Sequence, residues 1–182
     1  MLNEDMLNIN HAPTDEWAWG SEKIIWGYDK SHDYTYKILQ PKKGKAGCLS
    51  LQYHNEKSES WFVHSGLAWG LFVTLFDNKA IIESKVLKPG DFIALPLGKI
   101  HRLMGLTDDV QVIEASTPDK HAADKTAIKD VIRLDCVLGR ECSEPRNALE
   151  ARIVAECRKI TQKTIQESEL NLNIKEVKIE VI

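Results

Sequence analysis

The segment from residue 49 to residue 66 constrains the fold of this chain more than any other stretch. It begins with apolar residues at alternate positions, which predicts a β-strand, and a second strand follows a polar break at 55–58. Residues two apart on a strand point to the same face, so Gln52 and His54 project side by side. If the two strands pair as a hairpin, Glu59 returns beside His54. An amide, an imidazole and a carboxylate that converge in this way suit a divalent metal ion.

A second segment, residues 90–102, carries a turn with proline and glycine between two apolar runs, and His101 follows that turn. The two segments resemble the paired motifs of the cupin superfamily, whose members are small β-barrels with a metal site inside. In that family the first motif supplies two ligands two residues apart and a later glutamate, and the second motif supplies a histidine. The resemblance implies the following metal ligands: Gln52, His54, Glu59 and His101.

The first ligand position narrows the resemblance, because it holds Gln52 where most cupins have histidine. A Gln-x-His pair is typical of mannose-6-phosphate isomerases, and the sequence is similar to the type II enzymes of that family over roughly residues 17–140. The matching runs include Trp19-Gly20, Glu59-Ser60-Trp61, 113–118 and 131–140. The sequence departs from the motifs at two glycine positions: the glycine expected before the first ligand is displaced, and Gly105 stands where asparagine is common.

The resemblance implies an activity and a cofactor. The activity is the interconversion of mannose 6-phosphate and fructose 6-phosphate through a cis-enediol. The cofactor is a divalent metal, zinc in the first place, with manganese, cobalt, nickel and iron as alternatives. A cupin fold alone does not fix the chemistry. A metal-dependent oxygenase and a non-catalytic module that binds a sugar phosphate or nucleotide sugar therefore remain alternatives, as does a hydrogen-bonded polar network without a metal.

Composition bounds the class of protein. A chain of 182 residues is long enough for one domain with a substantial core. Its net charge of −3 argues against a general nucleic-acid or membrane-surface binder. No apolar run approaches the length of a bilayer span, and the first ten residues lack the features of a signal peptide. The four cysteines have irregular spacing, which indicates reduced thiols and predicts a cytoplasmic protein.

The pattern along the chain predicts an all-β fold, a double-stranded β-helix or jelly-roll barrel, with a C-terminal α-helix. We expect a loose arm at 1–16, a cupin barrel at 17–140, and a helix with a terminal strand at 141–182. Ser143, Glu144 and Pro145 are typical of a helix start, and the apolar stripe that follows extends to about Glu169. Because cupins commonly associate by strand addition, we expect a homodimer.

Seven further residues are candidates for catalysis or substrate binding. Lys57 and Arg102 lie beside the expected ligands, and Glu114 lies in an apolar strand where a carboxylate is unusual; all three are candidates for proton transfer or charge stabilisation. Cations suited to holding a phosphate, and an aromatic platform for a sugar, are Lys23, Lys37, Arg140 and Trp61. The alternative for each charged residue is a salt bridge or a solvated surface position, and for Trp61 it is the core.

Overall fold

The computed structural model describes residues 9–182, so the first eight residues of the predicted arm lie outside the described chain. The described residues form two six-stranded antiparallel sheets that pack face to face, with one long C-terminal helix. The first sheet contains, in spatial order, β1 (Thr14–Trp17), β2 (Gly20–Trp26), β3 (Thr35–Pro41), β10 (Gln111–Ser116), β5 (Glu59–Ser65) and β8 (Phe92–Leu95). The second contains β11 (Ile132–Asp135), β4 (Leu51–Tyr53), β9 (Ile100–Gly105), β6 (Ala68–Leu75), β7 (Ala80–Leu87) and β12 (Val177–Val181).

Period-two alternation explains why these strands enclose an interior. In β5, Glu59, Trp61 and Val63 are buried, whereas the residues between them are exposed. Successive side chains on a strand point to opposite faces, so the first three face the space between the sheets and His64 faces outward. Burial therefore places a carboxylate, Glu59, inside the barrel, where a charge is costly unless it has a partner.

The predicted hairpin between the strands of the first motif is wrong. β4 pairs with β9 and β11 in the second sheet, whereas β5 pairs with β10 and β8 in the first. The chain crosses between the sheets at residues 55–57, whose backbone N–H groups donate to the Asp130 carboxylate instead of to a facing strand. Glu59 therefore reaches His54 across the barrel interior, not along a shared sheet.

The N-terminal boundary and the second strand also differ from the prediction. Residues 14–16, assigned to the loose arm, belong to β1, which pairs with β2. The strand expected at the start of the segment 49–66 is confined to Leu51–Tyr53, and Gly44–Gly47 before it form a short 3-10 helix. At Gly47 a side chain is excluded, since an added Cβ would lie 1.5 Å from the Lys42 carbonyl oxygen.

The C-terminal helix, α2 (Ala148–Glu169), follows a short helix, α1 (Lys120–Ala123), and packs on the second sheet. It begins later than predicted, because the Asn147 side chain caps it by accepting from the Glu150 N–H. The Ser143 N–H instead donates to the Arg133 carbonyl, which prolongs the extended chain. The buried side chains of α2 that join the core are Ile153, Val154, Cys157 and Ile165.

The terminal strand closes one edge of the second sheet, because β12 pairs with β7 of the same chain. Within residues 9–182, no helix is long and apolar enough to span a membrane. The four cysteines are free thiols, two of them buried.

Candidate metal centre

Three buried side chains from three strand ends converge between the sheets. His54 follows the last residue of β4, Glu59 opens β5 in the opposite sheet, and His101 is the second residue of β9. One ligand atom from each lies within 4.8 Å of the others. The centre opens into a pocket with a cavity volume of about 140 Å³, which His54 and Glu59 help to line. The two sheets thus bring together three of the four predicted ligands.

Both imidazole rings are held by their Nδ1 atoms. His54 Nδ1 contacts the Asp130 carbonyl oxygen, and His101 Nδ1 lies 2.8 Å from the Lys99 carbonyl oxygen. A carbonyl only accepts, so each Nδ1 carries the proton and each Nε2 presents a lone pair to the interior. This arrangement, with the second ring nitrogen fixed by a carbonyl, is the usual support for histidines that bind metals.

The Nε2 atoms are buried and, among residues 9–182, neither has a hydrogen-bond partner. His54 Nε2 is 3.0 Å from Glu59 Oε1, and His101 Nε2 is 3.8 Å from Glu59 Oε2. With the proton on Nδ1 alone, each approach sets a lone pair against a carboxylate oxygen, which is unfavourable unless a second ring proton or a metal ion lies between them. Two imidazole nitrogens and a carboxylate are a donor set for divalent transition metals, so these residues fit such an ion.

The pKa shifts of Glu59 and His101 suit metal binding. Burial acts to raise the pKa of Glu59, but Lys57, His54 and His101 outweigh it and hold that pKa well below its usual value. Burial lowers the pKa of His101, which favours the neutral imidazole. A metal ion requires a deprotonated carboxylate and neutral imidazoles, and the shifts of Glu59 and His101 are in those directions.

Lys57 links the metal centre to Glu114. Its Nζ lies 2.6 Å from Glu59 Oε1 and 3.1 Å from Glu114 Oε1, and all three side chains are buried. Burial acts to lower the pKa of Lys57, but the carboxylates of Glu114 and Glu59 outweigh it and raise that pKa well above its usual value. The amine therefore remains an ammonium. Glu114 and Lys57 therefore line the pocket as an ion pair.

A second ion-pair cluster lies beside the first. Lys37 Nζ is 2.7 Å from Asp119 Oδ2 and 3.3 Å from Glu22 Oε1. Burial raises the pKa of Glu22. Across both clusters, four carboxylates face two ammonium groups. Lys37 lines the pocket as predicted, but its charge is already neutralised by its two partners.

Gln52 lines the pocket and is directly opposite His101 on the neighbouring strand. Its Oε1 accepts a hydrogen bond of 2.6 Å from the Ser50 hydroxyl. A carbonyl oxygen has a second lone pair, so this bond leaves Gln52 able to ligate. Its role as the fourth ligand stays a prediction.

Arg102 does not lie beside the metal ligands, contrary to the prediction. Adjacent residues on a strand face opposite ways, so Arg102 points away from the pocket when His101 points into it. Its guanidinium is fully buried against α2 and β11, where it donates to Thr161 Oγ1 at 2.7 Å and to the Asp135 carboxylate at 2.7 Å. Arg102 is thus part of the connection between sheet and helix.

Of the three remaining predicted residues, one lines the pocket and two do not. Lys23 is outside the pocket lining, because Glu22 takes the inward position next to it on β2. Trp61 is 2% exposed and packs edge-on against His101, with ring centroids 5.2 Å apart, so it supports the ligand from the core. Arg140 lines the pocket.

Sequence reasoning missed four pocket residues: Glu22, Asp119, Asp130 and Arg133. Glu22 alternates with the buried Ile24 on β2, a period-two signal that could have assigned it to the interior. Asp119 is the N-cap of α1, and an Asp before a short polar helix was a readable signal. Asp130 lies in a loop, and no local pattern indicates its role.

No protein-family model matches the sequence, and no curated protein matches it. Three solved structures are similar in fold. Oxalate decarboxylase of Lactobacillus farciminis, as a formate complex, has a TM-score of 0.52 and 15% identity over 88% of this chain and 42% of its own. The capsular polysaccharide assembling protein CapF of Staphylococcus aureus has a TM-score of 0.51 and 19% identity over 68% of this chain and 34% of its own.

A mutant of the Bacillus subtilis oxalate decarboxylase OxdC also has a TM-score of 0.51, with 18% identity over 69% of this chain and 31% of its own. The chain spans well under half the length of each of these three proteins. At these identities the likeness concerns the fold, and it agrees with the two facing antiparallel sheets described above. The chain therefore has the double-stranded β-helix fold expected from its sequence.

Proposed function

We propose that this protein is a metal-dependent sugar-phosphate isomerase that interconverts mannose 6-phosphate and fructose 6-phosphate. The observation that carries the proposal is the pair of buried histidine Nε2 atoms that face Glu59 without hydrogen-bond partners among the described residues. Beside them, the pocket holds the Lys57–Glu114 pair, which supplies a cation and a carboxylate. A metal site adjoining a possible acid–base pair is what aldose–ketose isomerisation requires.

The ion would be held by His54, Glu59 and His101, with Gln52 as the fourth ligand. Nitrogen and oxygen donors suit zinc first, and manganese, cobalt, nickel or iron as alternatives. When bound, the ion supplies Lewis-acid polarisation of the substrate carbonyl. The Lys57 ammonium beside Glu59 and the carbonyls behind the two histidines hold these ligands in place.

Proton transfer is assigned to Glu114. Its carboxylate would take the proton from the carbon next to the carbonyl and return it to the carbonyl carbon, with a cis-enediol between the two steps. In the same sequence the proton of the adjacent hydroxyl would pass to the carbonyl oxygen, so that no proton is gained or lost overall. The Lys57 ammonium lies 3.1 Å from Glu114 and would stabilise negative charge that develops on a substrate oxygen. Because the pKa of Lys57 is raised by Glu114 and Glu59 against the effect of burial, the cation persists throughout neutral pH.

A coupled assay for conversion of mannose 6-phosphate to fructose 6-phosphate tests the proposal. We expect turnover that EDTA abolishes, that zinc, manganese or cobalt restores, and that Glu59→Gln loses. Lys23→Gln is the matched control, since Lys23 lies outside the pocket lining. Binding of mannose 6-phosphate without turnover under every metal would reject the isomerase and support a sugar-phosphate binding module.

A further inference from the structure

Two arginines at one end of the pocket lack an acidic partner. Arg133 and Arg140 both line the pocket, and no carboxylate of residues 9–182 forms an ion pair with either guanidinium. Arg133 Nε is buried without a hydrogen-bond partner among these residues. Arg140 donates only to neutral or weakly polar groups, at 3.3 Å to the Ser50 hydroxyl and at 3.3 Å to the Cys136 sulfur.

The buried cations of the described chain differ in this respect. Lys37, Lys57 and Arg102 each pair with at least one carboxylate at 3.1 Å or less. Burial and the charge of Arg140 both lower the pKa of Arg133, so the two guanidiniums repel each other. Two like charges kept close together without a counter-ion are costly unless an anion occupies the space they share.

Strand pairing and one hydrogen bond connect the two arginines to the expected metal ligands. Arg133 on β11 is opposite Gln52 on β4, and Gln52 is opposite His101 on β9. Residues in register on adjacent strands share a face, so these three form one row across the second sheet. Two strand spacings separate the ends of the row by roughly 10 Å. Ser50 connects Arg140 to this row through its hydrogen bond to Gln52.

We propose that Arg133 and Arg140 form a subsite for the phosphate monoester of the substrate, at the opposite end of the pocket from the reacting carbons. The geometry of the row suits an extended sugar with its carbonyl near His101 and its phosphate near Arg133. A phosphate dianion balances two guanidiniums and offers enough oxygens to accept from both planar forks. The proposal rests on the proposed function only for the placement of the reacting carbons.

Titration calorimetry with inorganic phosphate tests the subsite directly. We expect Arg133→Gln and Arg140→Gln each to weaken phosphate binding by about tenfold or more, since each removes a charge-assisted bond. Lys129→Gln is the matched control: Lys129 lines the same pocket but stacks on the Trp17 ring at 3.9 Å, and we expect little change. Repeating the titration after EDTA treatment separates phosphate held by arginine from phosphate held by a metal.

The outcomes separate this subsite from the isomerase activity. Arginine-dependent phosphate binding without turnover keeps the subsite and rejects the isomerase. If the enzyme turns over but both variants bind phosphate as the wild type does, the subsite is overturned. The subsite is also overturned if the wild-type protein does not bind phosphate. Tighter binding of a hexuronate than of mannose 6-phosphate would overturn the assignment to phosphate in favour of a carboxylate. Both arginines are only partly buried, so the variants should fold, which circular dichroism checks.

Discussion

Asp130 supports the centre through two different groups of one residue. Its backbone carbonyl contacts His54 Nδ1, and its carboxylate accepts the amide N–H of Lys57 at 2.8 Å. One loop residue therefore sets both the ring orientation of a metal ligand and the position of the pocket cation. Such support behind a ligand matters because a ligand atom that moves loses much of its affinity for the ion.

Glu114→Gln tests the proton-transfer role at the residue scale. The amide keeps the size of the side chain but cannot take a proton, so we expect kcat to fall by about a hundredfold or more. The protein should retain its metal, because Glu114 is not a ligand. Steady-state kinetics and metal content measure the two effects. Glu16→Gln on the exposed side of β1 is the control, and an unchanged kcat in Glu114→Gln would contradict the role.

Asp119→Asn tests the electrostatic account through pH. Burial acts to raise the pKa of Asp119, but Lys37 and Lys57 outweigh it, so the pKa in the folded protein is lower than in the unfolded chain. The unfolded chain then binds more protons at acidic pH, and the contribution of Asp119 to stability is present above its unfolded pKa of about 3.9. That contribution is lost as the pH falls towards the folded pKa.

We therefore expect Asp119→Asn to lower the free energy of unfolding by about 2 kcal/mol at pH 7, since Lys37 keeps Glu22 as a partner. The difference from wild type should persist down to about pH 5 and shrink below about pH 4. Urea unfolding at pH 7, 5, 4 and 3 measures it. A difference that grows as the pH falls would show that the sign of the pKa shift is wrong.

At the element scale, the two faces of β9 present neighbouring residues with different roles. His101 points into the pocket and Arg102 into the layer beneath α2, where it meets Asp135 and Thr161. Strand alternation requires opposite faces for these neighbours. The family resemblance placed both at the metal site, and the local physical rule was the better guide.

Arg102→Ala tests that assignment against a matched variant of the same ion-pair cluster. Removal of this fully buried guanidinium leaves the Asp135 carboxylate without its interior partner, so we expect a loss of about 3 kcal/mol in the free energy of unfolding. Arg158, half exposed on α2, binds the other oxygen of Asp135, and Arg158→Ala should cost about 1 kcal/mol or less. Metal affinity unaffected by either change would agree with this placement, whereas a selective loss of metal in Arg102→Ala would contradict it.

The elements also show how far the sequence could predict this fold. Period-two alternation located the strands around the site, and the resemblance to the cupin motifs pointed to His54, Glu59 and His101. The choice of sheet for β4 and β5 was not readable, because it depends on pairing with β9, β10 and β11, which are distant in sequence. The acidic partners of Lys37 were missed for the same reason, since Asp119 is brought to it by the packing of a loop.

At the scale of the whole molecule, the first sheet ends in β8, an edge strand with no further strand beside it among the described residues. Phe92 on β8 is 79% exposed and lies opposite the half-exposed Phe62 of β5. Unpaired edges and exposed aromatic pairs favour association. We therefore propose the homodimer expected from the sequence, with this edge as its contact.

Light scattering coupled to size exclusion tests the dimer. We expect a mass about twice that of the 20.6 kDa chain, and a shift to the monomer in Phe92→Glu, which places a charge in the contact. Phe76→Glu is the control, because Phe76 is also half exposed but lies beyond β6 in the other sheet. A monomeric wild-type protein would reject the dimer, and a dimer unaffected by Phe92→Glu would reject this contact.

The most direct test of the account is the binding of zinc to EDTA-treated protein, measured by titration calorimetry and elemental analysis. The account predicts one ion per chain, with affinity reduced by more than about a hundredfold in His54→Ala and His101→Ala. The control, His64→Ala, removes an outward-facing histidine of β5 and should bind zinc as the wild type does. Absence of zinc, manganese and cobalt binding, or binding that survives loss of either interior histidine, would contradict the metal centre on which the proposed chemistry depends.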